Sequence, residues 1–316
     1  MIWKRALIAL SVSVISAVLS WFAQVQLTRA GGDLLWAITA GSDLLAGRDP
    51  YGHPIGPHWS PYPLPAALVG IPFSLFPPAV GAALFFGISS GLLAYCLIKK
   101  ESYVRLLIFI SMPFWFALIW TQWSPLIMAS AFIPVLLPIV LIKPQIALPV
   151  GLTHLTRVGV CCCLGVALLS LIIYPRWPLV WISQIREYQR FFPVATPIGP
   201  LLLIALLRWR DKDAQLFLLA SLFPQRHFYD AFTLWLIPKT AKEIVLTAVF
   251  SWGAWFWKAY HPNMASSEVG LVSTLFFFLP MLCVILLRPK ESGGEFRLGV
   301  LPVQKSKKAS TQSTAA

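Results

Sequence analysis

Apolar residues run unbroken for a membrane thickness at several places in this chain, and the polar residues collect between those runs. Residues 6–27 form the first run, behind Lys4 and Arg5. A bilayer core needs about 20 apolar helical residues, so this run predicts one span. It exceeds the apolar core of a signal peptide, which favours an uncleaved first span with its N-terminus in the cytoplasm. Residues 64–98 form a longer run broken at Pro77-Pro78, which reads as two short spans or as a re-entrant piece plus one span. Further apolar segments cover 106–120, 124–142, 146–152, 158–173, 198–207, 214–237, 244–257 and 269–287. The pattern predicts an all-α, polytopic membrane protein with eight to ten transmembrane helices, several of them short and interrupted by proline. Short, broken helices at membrane depth are expected where a binding cavity is built. A transmembrane barrel would instead alternate polar and apolar residues over about 10 positions.

Two polar stretches stand out. Residues 28–60 follow the first span and hold Arg29 and Arg48 against Asp33, Asp43 and Asp49, in a chain of net charge +13. Asp33 stands where a helix N-cap would, and Leu34, Ile38 and Leu45 recur near one face, predicting an amphipathic helix on the membrane surface. From Gly47 onward, repeated glycine and proline force irregular backbone. Residues 175–197 carry Arg176, Arg186, Glu187 and Arg190 among aromatics and read as a basic surface helix. Residues 1–288 are taken as one transmembrane domain, and 289–316 as a disordered basic cytoplasmic tail. Both termini inside implies an even number of crossings.

Composition sharpens this picture. The chain is 58% hydrophobic and only 12% charged, against about 25% charged residues in soluble domains. Its basic residues cluster at the ends of apolar runs, so the charge follows the positive-inside rule and predicts no nucleic-acid partner. Cys96, Cys161, Cys162, Cys163 and Cys283 all lie in apolar runs, where they read as packing residues. No internal repeat, P-loop, zinc-binding HExxH or GxSxG element is present.

Ionisable groups inside apolar sequence cost roughly 2.5–3.5 kcal/mol each on insertion scales, so each needs a partner or a role. Asp33 at the membrane boundary has the chemistry of a general base, against the plainer reading of a helix cap. Arg48-Asp49 reads as a turn with an exposed ion pair. Lys143, between two apolar runs, reads as a snorkelling lysine or as a phosphate contact. Gln122 is placed to hydrogen-bond across helices or to hold a sugar hydroxyl. Arg226, His227, Tyr229 and Asp230 interrupt what would otherwise be one long span. Arg226 and Asp230, four apart, would neutralise each other on a helix.

The order of these elements resembles the GT-C glycosyltransferases. It is most similar to family 87, the polyprenol-phosphate-mannose-dependent enzymes of bacteria. The match rests on Asp33 after the first span, Gly47-Arg48-Asp49-Pro50-Tyr51, Tyr62-Pro63, Gln122 and Lys143-Pro144. Thr121 and Ser124 stand where that family's Gly-Gln-x-Asn element has glycine and asparagine. The resemblance implies a GT-C-like fold in the inner (plasma) membrane and transfer of a sugar from a polyprenyl-phosphate donor to a lipid or glycan acceptor. It implies Asp33 as base and Lys143 or Arg226 on phosphate. Asp49, Tyr51, Tyr62, Gln122, Gln145, His227, Tyr229 and Asp230 become candidate substrate contacts. No cofactor is implied; a divalent cation shared by Asp33 and Asp49 is allowed. The competing class is a non-enzymatic membrane protein: a transporter, a lipid flippase, or a lipid-binding envelope-assembly subunit.

Overall fold

The structure is a computed structural model and describes residues 2–27, 31–54, 62–98, 103–185 and 190–289. The Arg29, Arg186 and Glu187 side chains, most of the proline-rich stretch before Tyr62 and the tail beyond 289 lie outside these residues. The described chain is helical, and its one extended feature is an isolated bridge in which Phe191 and Gln225 exchange backbone hydrogen bonds of 2.9 and 2.8 Å.

Among the described residues, three helices are long and apolar enough to cross a membrane: α1 (Ile2–Gln26), α4 (Pro78–Leu97) and α12 (Ser266–Leu287). Between them lie α2 (Leu35–Leu45), α3 (Pro65–Gly70), α5 (Met112–Ile119), α6 (Ser124–Ser130) and α7 (Pro144–Thr153). Then follow α8 (Arg157–Ile173), α9 (Trp177–Gln184), α10 (Lys212–Leu222) and α11 (Ala241–Tyr260). Residues 64–98 thus hold one short helix and one long apolar helix. Helices α8 and α9 meet at 93°, so the basic segment after Pro175 turns sharply away from the apolar helix before it.

The runs expected as spans between 106 and 152 are cut into pieces by proline. Pro113, Pro125 and Pro144 each sit in the first turn of α5, α6 and α7, where the missing N–H costs nothing. The intervening stretches Val104–Ile110 and Pro134–Leu141 are 3-10 helices, as are Gly199–Arg208 and Phe228–Leu236. A 3-10 helix rises about 2.0 Å per residue, so ten residues reach about 20 Å, roughly a third further than an α-helix.

Small residues set the first helix pair. A Cβ on Gly87 would stand 2.6 Å from the Ala17 methyl, and one on Gly91 would stand 2.6 Å from Ser13 Cβ. The two backbones therefore approach as closely as small-residue membrane pairs do. Arg5 donates to the Tyr95 carbonyl at 2.7 Å, so α1 and α4 run antiparallel. At that same end, Arg105 donates to Leu236 O at 3.2 Å. Arg288, just past α12, contacts Asp213 at 2.6 Å and Glu243 at 3.0 Å. Basic residues thus gather at one end of the bundle, and the α1–α2 connection lies at the other.

The helix of the first loop departs from expectation. Trp36, Ala37, Ile38, Ala40, Gly41 and Asp43 of α2 are all buried, while Leu45 is 60% exposed. The reason is α3. A Cβ on Gly41 would meet the Ile71 nitrogen at 2.8 Å, and one on Gly70 would overlap the Ala37 carbonyl. Helix α2 is thus clamped between elements instead of resting one apolar face on a surface. Asp33 is not its cap: α2 has Leu34 at the N-cap position, with no side-chain cap bond.

Candidate functional site

Asp33 owes its place to Gln24, near the end of α1. The Gln24 amide donates to Ile119 O at 2.8 Å and to Thr121 Oγ1 at 3.0 Å, and accepts from the Gly31 N–H at 3.3 Å. This buried amide ties the chain leaving α1 to the chain leaving α5. Gly31 and Gly32 then turn at φ 115° and 57°, which glycine alone adopts freely. A Cβ on Gly32 would lie 2.6 Å from Trp120 O. Next, the Asp33 N–H donates to that same carbonyl at 3.0 Å. Across the junction Thr121 holds φ 50°, an unusual backbone for a β-branched residue and one its Oγ1 bond to Gln24 supports. The turn delivers Gln122 directly to Asp33.

From there a polar chain crosses the apolar interior. Gln122 Nε2 donates to Asp33 Oδ2 at 2.5 Å. Lys143 Nζ donates to Gln122 Oε1 at 2.6 Å and stands 3.3 Å from Asp230 Oδ1. Asp230 Oδ2 accepts the Arg226 backbone N–H at 2.8 Å. Tyr229 supplies the cover: its ring lies 4.9 Å from the Lys143 ammonium, and its hydroxyl reaches Asp33 Oδ2 at 3.5 Å. Gln122 and Asp230 are wholly buried and Lys143 is 1% exposed, whereas Asp33 is half-buried. Five residues scattered from 33 to 230 thus meet in one network.

Two expectations need correction here. Lys143 does not snorkel and is not held ready for a phosphate, because burial commits its ammonium to Asp230 and Gln122. Asp230, in turn, meets Arg226 through the Arg226 backbone N–H, while its charge faces Lys143. The pairing differs from helical spacing because the chain from Pro224 to His227 is extended and Asp230 lies in the first turn of a 3-10 helix that begins at Phe228.

Asp49 and Tyr51 serve as fasteners. Asp49 Oδ1 accepts the Tyr51 N–H at 2.9 Å, and its Oδ2 accepts the Tyr174 hydroxyl at 3.1 Å. The Tyr51 hydroxyl donates to Tyr62 O at 3.1 Å, and burial pushes its pKa far above the ordinary tyrosine value, so it stays a neutral donor. Arg48 pairs with Asp43 at 2.7 Å, so the expected Arg48–Asp49 turn pair is replaced. Among the described residues no group of His, Cys, Asp or Glu side chains is arranged to hold a metal ion. The rings of Tyr51, Trp36, Tyr62 and Trp123 follow one another in that order at 5.4–6.1 Å, forming an aromatic wall.

Tyr62 also lines a cavity of about 260 Å³ together with Gln145, Arg190, Arg226, Trp181 and Phe223. The cavity abuts the network through the chain itself, since Gln145 lies two residues past Lys143 and Arg226 is bonded to Asp230. Its walls are mostly apolar, with two guanidinium-bearing residues, a composition suited to an anionic head on an apolar body. His227 is stacked on Tyr229 at 5.4 Å and on Phe116 at 5.2 Å. Its Nδ1 accepts from the Phe228 N–H at 2.9 Å, so the neutral ring carries its proton on Nε2.

Sequence reasoning missed Gln24, Trp181 and the placement of Arg190. Gln24 had a signal, being one of two amides near the end of an apolar helix; the other two had none, because their role depends on where α9 turns. Comparison with known family models, with curated proteins and with solved structures returned no match.

Proposed function

We propose that this protein is a membrane glycosyltransferase, moving a mannose-like sugar from a polyprenyl-phosphate donor to the hydroxyl of a lipid or glycan acceptor. The observation that carries the reading is the half-buried Asp33 carboxylate, held by Gln122 and Tyr229 and joined through Lys143 and Asp230 to Arg226, which lines the cavity together with Arg190. A carboxylate so fixed has the geometry of a general base, a role worth roughly 10²–10⁴-fold in rate. In the transfer step the acceptor oxygen bonds to the sugar's anomeric carbon as its proton passes to Asp33. The bond from that carbon to the phosphate oxygen breaks, and polyprenyl phosphate leaves with the electron pair. Its negative charge is met by the Arg226 and Arg190 side chains. Phosphate is a good leaving group, so no strong acid is needed.

The same reading places the site on the extracytoplasmic face of the inner (plasma) membrane. The basic end of the bundle, with Arg5, Arg105 and Arg288, then faces the cytoplasm together with both termini. It takes the short α-helices and 3-10 helices between α4 and α12 as the broken crossings of a GT-C-like arrangement. The family 87 resemblance supplies the donor class.

Asp33→Asn, assayed in membranes with a labelled polyprenyl-phosphate mannose and extracted lipid acceptors, is expected to lose at least 100-fold of the transfer rate. Transfer unchanged by that substitution removes the base assignment. Donor binding by a wild-type protein that never transfers would favour the lipid-binding alternative.

A further inference from the structure

We propose that Lys143 is a positioning residue, acting through Gln122 to orient the Asp33 carboxylate, and that Asp33 Oδ1 is left as the oxygen that takes the proton. What Asp33 then does rests on the transfer reading above; the orientation itself does not.

The argument begins with what an ammonium group can do. It has three donors and no acceptor. Lys143 Nζ sits 2.6 Å from one end of the Gln122 amide, so that end must be the carbonyl. The other end is then the NH₂ group, which faces Asp33 Oδ2. A flipped amide would set NH₂ against the ammonium and carbonyl against the carboxylate, making both contacts repulsive. Lys143 and Asp33 thus fix the amide the same way round, and without Lys143 the amide is held at its Asp33 end alone. Asp230, 3.3 Å from the ammonium, offsets its charge, so what reaches Asp33 along this path is mainly orientation. Among the described residues, both side-chain contacts to the carboxylate, from Gln122 and from the Tyr229 hydroxyl, fall on Oδ2.

The test uses the full chain purified in detergent, with two variants and two readouts. Gln122→Glu keeps the side-chain size and still accepts from Lys143, but replaces the donor to Asp33 with a like charge. Lys143→Met/Asp230→Asn removes the ammonium without stranding a buried carboxylate. The first readout needs no substrate: carbodiimide-driven coupling of glycine ethyl ester to Asp33 at fixed pH, quantified by peptide mass spectrometry. Coupling at Asp33 is expected to rise about fivefold or more in both variants, since one removes the donor that covers Oδ2 and the other leaves that donor's amide able to swing away from it. Coupling at Asp49 should stay level. Asp33 coupling within twofold of wild type in both variants overturns the proposal.

The second readout is transfer. Both variants should lose roughly 100-fold in kcat with little change in KM, as expected when a base is misaimed. For Gln122→Glu the ratio of variant to wild-type kcat should climb as pH falls, because the introduced carboxyl regains a donor when protonated. The charged and titratable groups around that position are Asp33, Lys143, Tyr229, Asp230, His227 and Arg226. A merely distorted protein would show no such recovery, and its absence counts against the proposal. Altered Asp33 coupling with no transfer by wild type upholds the positioning role and removes the sugar-transfer reading. Transfer by wild type with unaltered coupling removes the positioning role alone.

Discussion

Lys143→Met should be among the most damaging single substitutions in the chain, and the structure sets the magnitude. Lys143 is 1% exposed and Asp230 not at all, at 3.3 Å. At that separation the Coulomb attraction is about 5 kcal/mol with an effective dielectric of about 20. Desolvating both groups consumes much of this, so the pair's net worth is small. Removing one member is a different matter, because it leaves a buried charge whose remaining partner is the Arg226 N–H. Such losses run about 3–5 kcal/mol. With roughly 2–4 °C per kcal/mol for chains somewhat smaller than this, the midpoint should fall by about 10 °C. Intrinsic tryptophan fluorescence during a thermal ramp in detergent measures it. Lys143→Met/Asp230→Asn should recover part of the loss, since it strands no charge. The reasoning is refuted by a single variant that unfolds within about 2 °C of wild type. It is equally refuted by a double variant that falls as far as the single one.

Gly32→Ala should destabilise the α1–α2 junction, by about 1–2 kcal/mol for the left-handed backbone alone; the clash with Trp120 O adds to that, and transfer should fall with it. Thermal midpoint and transfer rate, measured together, check the link. Tyr51→Phe should cost about 1 kcal/mol through the lost bond to Tyr62 O while leaving kcat nearly intact, since Tyr51 fastens the loop. A large kcat loss there would return Tyr51 to the substrate contacts. Arg226→Ala and Arg190→Ala should each lower kcat/KM for the phosphate-bearing donor by about tenfold or more, the worth of a hydrogen bond to a charged group, with part of the loss in kcat because the leaving phosphate gains charge as the bond breaks. Titrating donor concentration against initial rate tests this.

Much of the architecture was legible from the chain because a membrane imposes a simple rule. Every backbone polar group at depth must be satisfied internally, so apolar runs become helices. That rule located α1, α4 and α12 and set the basic residues at their ends. It also marked Asp33, Gln122, Lys143, Tyr229 and Asp230 as worth attention, since polar groups in apolar surroundings need partners. Pattern alone did not reveal who those partners were. Helical spacing paired Arg226 with Asp230, yet an extended segment broke the helix between them. Periodicity made α2 a surface helix, yet Gly41 and Gly70 let α3 cover it.

Sequence by itself therefore determined the solvent this protein lives in, the helical class, and the short list of residues whose burial would need compensation. Only the tertiary structure decided that Gln24 would staple two helix ends so that Asp33 meets Gln122. The same structure decided that Lys143 would be spent on Asp230 instead of facing a cavity. The physical reason is that burial cost is local and readable one residue at a time, whereas the compensating contact spans up to 196 positions of sequence, as between Asp33 and Tyr229, and depends on how glycine, proline and small residues let the helices approach.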